Sequence, residues 1–262
     1  MSGHVLITGA SSGIGRALAL EMASRGYAVG LVARREPDLA ALAEEIRGHG
    51  QTAAWAVGDV VDKQGLFEAI GVLEETLGPC EILVANAGIA GKFGVTNLDL
   101  DLLERITEVN YLGAVRAAAA VLPGMLSRGR GQLVVVSSVA GFRGLPGSGA
   151  YSGSKAAVST IWEAFRGELR SEGIACTTIH PGYIDTPLTQ KNRFSMPFLM
   201  TVERAATVMA DGILARRRQV NLPWRMVAMM TLIRWLPDAL YDRLMGKMLG
   251  PLRKAPQDDQ SV

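Results

Sequence analysis

The chain has 262 residues, of which 48% are apolar and 20% charged, and its net charge is +2. Those figures exclude a disordered chain, which would be poor in apolar and rich in charged residues, and a chain that binds nucleic acid through overall basic charge. Two cysteines, Cys80 and Cys176, are too few for a disulfide scaffold and fit a reducing compartment.

Taken in chain order, the first apolar run is Val5–Thr8. It is too short for the core of a signal peptide and no cationic region precedes it, so a strand at the start of a cytoplasmic protein is expected. Further strand-length runs follow at Ala28–Ala33, Thr52–Val57, Ile82–Asn86, Gln132–Ser137, Ala175–His180 and Gln219–Leu222. They carry little charge, as strands buried on both faces do. Helical patterns alternate with them at Gly15–Arg25, Pro37–Gly48, Lys63–Leu77, Leu100–Ser127, Ser152–Ser171 and Val202–Arg216. Strand and helix alternating in this way predict an α/β fold, a doubly wound parallel Rossmann-type sheet of about seven strands with helices on both faces. No stretch reaches the ~18–20 apolar residues of a membrane span; the nearest, Met226–Trp235, is interrupted by Arg234.

Directly after the first strand stands Thr8-Gly9-Ala10-Ser11-Ser12-Gly13-Ile14-Gly15, where a helix begins. Glycines allow backbone N–H groups to approach a pyrophosphate, and the helix start adds free N–H groups and a positive dipole end. At the first strand–helix junction this predicts a dinucleotide site rather than an ordinary turn. The second strand ends in Ala33 and then Arg34-Arg35, with no carboxylate for the ribose 2′-hydroxyl of NAD. A guanidinium pairs well with a 2′-phosphate, so NADP(H) is expected in preference to NAD(H). Asp59, followed by Val60 after the third strand, is placed to accept from an adenine amino group or, alternatively, to cap a helix.

These residues and several further motifs resemble the short-chain dehydrogenase/reductase family. Thr8–Gly15 fits its TGxxxGxG, Asn86-Ala87-Gly88 its NAG, and Tyr151-Ser152-Gly153-Ser154-Lys155 its YxxxK. Ser138 stands thirteen residues before Tyr151, Asn110 sits in the position of the family's active-site Asn, and Pro181-Gly182 followed by Thr186 fits its PG motif. The resemblance spans about residues 4–222. It implies that Gly9, Ile14 and Asn86 line the cofactor, that Ile184 and Thr186 hold the nicotinamide carboxamide, that Lys155 also bonds the nicotinamide ribose, and that Asn110 holds a water linking Lys155 to solvent.

The chemistry follows from the residue types. Tyr151 and Lys155 are four apart and share a helix face. An ammonium close to a phenol favours the phenolate, so Tyr151 is expected to have a lowered pKa and to act as general acid in ketone reduction and base in alcohol oxidation. The Ser138 hydroxyl is expected to donate to the substrate oxygen. His4, His49 and His180 have no metal-ligand spacing, and no metal is expected.

After Leu222 the chain departs from the family with Pro223-Trp224-Arg225-Met226, then Val227–Leu236 and Tyr241–Leu249. Residues 203–254 carry a net +6, against −2 over residues 1–202. Residues 1–222 are therefore read as the dinucleotide-binding catalytic domain, and 223–262 as a helical extension ending in a polar, frayed tail from Gln257 to Val262. Three roles compete for 223–249: a cover on the cleft or on a neighbouring subunit, a peripheral contact with anionic lipid, or a mobile lid. Pro187–Pro197, with no strong periodicity, also reads as a lid. The apolar extension favours a small hydrophobic carbonyl or alcohol substrate, such as an acyl-chain ketone. A homodimer or homotetramer is expected by resemblance, and no nucleic-acid partner. The alternatives to a carbonyl reductase are an NADP(H)-sensing binding protein without turnover and an epimerase or dehydratase on the same fold.

Overall fold

The computed structural model describes residues 4–96, 98–190 and 195–249. Strands β1 (His4–Thr8), β2 (Val29–Ala33), β3 (Ala53–Val57), β4 (Cys80–Ala85), β5 (Gly131–Val136), β6 (Ile174–Pro181) and β7 (Gln219–Leu222) form one sheet in the order β3-β2-β1-β4-β5-β6-β7. Every neighbouring pair is parallel. Each strand coincides with an apolar run of the sequence, its ends displaced by no more than two residues.

Side chains alternate between the two faces because the strand period is two. Val5 and Ile7 enter one core with α1 (Gly13–Ser24), α2 (Glu36–Gly48) and α7 (Val202–Leu214), while Leu6 enters the other with α3 (Lys63–Leu77), α5 (Gly113–Arg128) and α6 (Gly149–Glu168). Burying one such aliphatic side chain stabilises the fold by roughly 1.5–3 kcal/mol. The winding direction reverses between β1 and β4, which are neighbours, so a crevice opens at their carboxyl ends.

Helix α4 (Leu100–Thr107) continues into α5 through one π turn, Glu108–Leu112, in which the Gly113 N–H donates to the Glu108 carbonyl. The resulting helix over residues 100–128 is long and apolar enough, by length and composition, to cross a membrane. This corrects the expectation that no stretch reaches span length. Its apolarity has a local cause: Ala114, Ala117, Ala118, Val121 and Met125 form the face packed into the second core.

The extension forms α8 (Trp224–Trp235) and α9 (Asp238–Leu249). Met226, Val227 and Met230 pack on Val139, with Phe142, Leu145 and Tyr183 beside them. Arg143 closes the end of α8, its Nη1 donating to the carbonyls of Ile233 (3.0 Å), Arg234 (3.1 Å) and Leu236 (2.6 Å), and its Nη2 to Asp238 (2.7 Å). The same guanidinium stacks on the Tyr241 ring at 4.0 Å, and the Tyr241 hydroxyl donates to the Gly144 carbonyl. The polar tail from Gln257 to Val262 lies outside the described residues.

Candidate active site

The turn after β1 has a positive-φ glycine, Gly9 at +67°, whose hypothetical Cβ would lie 2.7 Å from Ala87 Cα. Asn86 ties this turn to the end of β4: its Nδ2 donates to the carbonyls of Thr8 (3.0 Å) and Gly9 (3.2 Å). Thr8 Oγ1 accepts in return from the backbone N–H groups of Asn86 (3.1 Å) and Ala87 (3.3 Å). Helix α1 then starts with Ser12 at its N-cap, where the side chain makes no capping bond. The first-turn N–H groups therefore remain available to an anion.

At the far end of the cleft, Arg34 Nη1 stands 3.6 Å from Asp59 Oδ2, both side chains being well exposed. Arg35 is held more firmly, by Ser11 Oγ (3.0 Å from Nη2) and Asp38 (2.8 Å from Nε). Asp59 accepts from the N–H of Val61, and the cap of α3 is Asp62 instead. The helix-cap alternative for Asp59 is thereby removed.

Ser138 follows β5 and caps a short 3₁₀ turn, Val139–Gly141, accepting from the Ala140 N–H at 3.1 Å and donating to the Pro181 carbonyl at 3.4 Å. Tyr151 and Lys155 lie on α6, with Lys155 Nζ 5.8 Å from the Tyr151 ring centre. Lys155 is buried, and its ammonium donates to the Val136 carbonyl at 2.8 Å. Burial lowers its pKa to about 8. Burial raises the pKa of Tyr151, an effect that a hydrogen bond with Ser138 only partly opposes. The lowered phenol pKa expected from the sequence is thus corrected: in the chain alone, removal of the phenolate from water is the larger effect and the direction is upward.

A single cleft of about 400 Å³ is lined by Gly9, Ser11, Ser12, Gly13 and Ile14, by Arg34, Arg35, Asp59 and Val60, and by Asn86, Ala87 and Gly88. Ser138, Tyr151, Lys155, Pro181, Gly182, Ile184 and Thr186 line it as well. Two expected residues are not in its lining. Gly15 lies beneath the turn, where a Cβ would be 2.4 Å from the Gly9 carbonyl oxygen and 2.5 Å from Asn86 Nδ2. Asn110 is buried behind Gly88 in the π turn; its side chain accepts from the Ile89 N–H (2.8 Å) and donates to the Ile89 carbonyl (2.9 Å) and Ser154 Oγ (3.0 Å).

The cleft also includes residues that were expected only as part of a lid and not as site residues. Thr189 lines it, accepting from the Thr186 N–H at 3.0 Å and donating to the Ile184 carbonyl, so it shapes the turn that presents Thr186. Thr189 falls inside Pro187–Pro197, which the sequence marks as a lid without singling out any residue in it. Pro187 and Leu188 line the cleft as well, while residues 191–194 of the expected lid lie outside the described residues.

Comparison with known proteins agrees with this geometry. A family model described as short chain dehydrogenase matches residues 3–196. An uncharacterized oxidoreductase of Myxococcus xanthus is 42% identical over 237 residues, which cover 90% of this chain and 94% of that protein. An alcohol dehydrogenase from the archaeon Thermococcus sibiricus, solved with 5-hydroxy-NADP, superposes with a TM-score of 0.76 at 26% identity, covering 84% of this chain and 95% of that one. A Burkholderia phymatum short chain dehydrogenase/reductase solved with NAD has the same fold, with a TM-score of 0.81 at 23% identity over 99% of this chain and 98% of that one. With the family model spanning most of its length and a relative this similar along nearly all of it, the chain belongs to the short-chain dehydrogenase/reductase family, oxidoreductases that act on CH–OH groups.

Proposed function

We propose that the chain interconverts a hydrophobic ketone and its secondary alcohol, using NADP(H) in preference to NAD(H). One observation carries this reading: Ser138, Tyr151 and Lys155 open on the same cleft as the glycine turn. The residues present fit a nicotinamide dinucleotide, since the turn leaves no room for a side chain at Gly9 and the start of α1 keeps its N–H groups uncapped. When bound, the cofactor supplies the hydride and, in its oxidised form, a positive ring.

The remaining work falls to the chain. Backbone N–H groups from Ser11 to Ile14 would hold the pyrophosphate. Arg34 would pair with a 2′-phosphate, a stronger partner than the exposed Asp59 carboxylate 3.6 Å away. Ile184 and Thr186 would hold the carboxamide. In reduction, Tyr151 gives its proton to the carbonyl oxygen, and the raised pKa keeps the phenol protonated and ready at neutral pH. The Ser138 hydroxyl donates to the same oxygen as charge develops. Lys155 places a buried positive charge behind Tyr151, helping the phenolate to form. Asn110 acts as a positioning residue: its side chain pins the Ile89 backbone and Ser154, the neighbour of Lys155. A water linking Lys155 to solvent would have to be held by its main-chain carbonyl, since the side-chain amide is occupied by protein partners. The apolar side chains of Ile89, Val109, Pro187 and Leu188 in the cleft lining support a hydrophobic substrate.

Tyr151→Phe tests the reading. NADPH-dependent reduction across a panel of short- and long-chain ketones should fall by about 10²–10⁴-fold, with NADPH binding retained by fluorescence titration. Unchanged turnover in this variant would overturn the assignment.

A further inference from the structure

Helix α8 is two-sided in an unusual way. Its inner side is apolar and buried through Met226, Val227 and Met230. Its outer side is apolar too, yet exposed: Trp224 is 71%, Leu232 72% and Trp235 79% accessible. With Ala228 and Thr231, these recur at the spacing of one helix face. Leu240 and Leu244 of α9 are also exposed. Three such large side chains on one helix cost more in water than scattered surface residues do, and so mark an interaction surface.

The charges identify the partner. Arg225 and Arg234 project roughly 90° to either side of the stripe, at ~100° per residue, and neither makes an ion pair among the described residues. The Arg225 guanidinium lies 5.5 Å from the Trp224 ring. Helix α8 contains no Asp or Glu, and residues 203–254 carry a net +6. Two copies of this face would bring arginines together with no acid on either α8 to match them. An anionic bilayer meets both needs, since indoles favour the headgroup boundary while flanking arginines pair with phosphate.

We propose that the outer face of α8 docks on the surface of a membrane containing anionic lipid, with the helix lying in the interface plane. The inner face of the same helix packs on Val139 and Tyr183, and Met226 stands against Gly182 of the cleft wall. Docking would therefore bring the cleft near the source of a lipophilic substrate.

The experiment is sedimentation of the full chain with two vesicle types, phosphatidylcholine alone and phosphatidylcholine mixed with phosphatidylglycerol. Binding to the mixed vesicles should exceed binding to phosphatidylcholine by about tenfold, with a blue shift of tryptophan emission. The double variant Trp224→Ser, Trp235→Ser should lose about tenfold or more of that binding and the shift, at an unchanged melting midpoint. Arg225→Gln with Arg234→Gln should remove the preference for anionic vesicles. The proposal is overturned by equal or absent binding to both vesicles, or by a double variant that binds like the parent. It is also overturned if analytical ultracentrifugation shows a dimer that the tryptophan variant splits, with no vesicle binding by the parent.

Discussion

The residue before the Pro181-Gly182 wall of the cleft, His180, gives a stability prediction with a definite size. It is buried, with Nδ1 3.1 Å from Asn221 Oδ1, Nε2 3.4 Å from Ser159 Oγ, and its ring edge-on to Phe142 at 5.0 Å. Burial pushes its pKa down to about 4, the bond to Asn221 opposes this, and the Arg234 charge adds to it. The folded pKa is below the unfolded value of ~6.5, so the unfolded chain binds the proton more tightly. The contribution to stability is therefore complete above pH 6.5 and is lost as pH falls through 4. Between pH 7 and pH 4 the loss from this one residue is about 3 kcal/mol, at ~1.4 kcal/mol per pKa unit. Urea unfolding of the parent chain and of His180→Gln across that range isolates the effect, because carboxylates and His4, also lowered by burial, titrate in both. The variant should be less stable at pH 7, and its stability should fall with acid by about 3 kcal/mol less than the parent's. Parallel pH profiles would refute the reasoning.

Gly15→Ala places a Cβ against the Gly9 carbonyl and Asn86 Nδ2, both backbone-anchored, and should cost about 1–3 kcal/mol in unfolding free energy while weakening NADPH binding by fluorescence titration; an unperturbed melting curve would show that the turn has slack. Arg143→Ala removes the donors that close α8 and should lower hydrogen-exchange protection over residues 224–246 by about 2 kcal/mol, with the strands unaffected. Arg34→Asp should weaken NADPH more than NADH, read as Kd for each; equal losses would remove the 2′-phosphate role.

The sheet was legible because β-strands buried on both faces leave short apolar runs, and the helices between them leave a 3.6-residue pattern. The cleft was legible because its residues stand in fixed motifs, at strand ends from Gly9 through Asn86 to Thr186 and on α6 at Tyr151 and Lys155. Less legible were positions whose meaning depends on distant neighbours. Gly15 reads as a ligand-facing glycine, but Asn86 and the Gly9 carbonyl fill the space where its side chain would be. Asn110 reads as a site residue, but the π turn sets it behind Gly88, where Ile89 and Ser154 take its amide. The helix over 100–128 was legible at nearly its full length, as Leu100–Ser127, but its span-length apolarity was not, because Arg105, Glu108 and Arg116 interrupt the apolar count while its other face packs on the sheet.

By itself, then, the sequence determined the order of elements, the place of the nucleotide turn and the pairing of Tyr151 with Lys155 four residues on, all of which follow from short-range periodicity and spacing. Only the tertiary structure decided the protonation balance at Tyr151 and Lys155, where burial by residues far along the chain pushes the phenol pKa up and the ammonium pKa down. It likewise decided that α8 has a side left over once Val139 and Tyr183 have covered the other. Burial and electrostatics sum over everything that folding brings near, and no local pattern carries that sum.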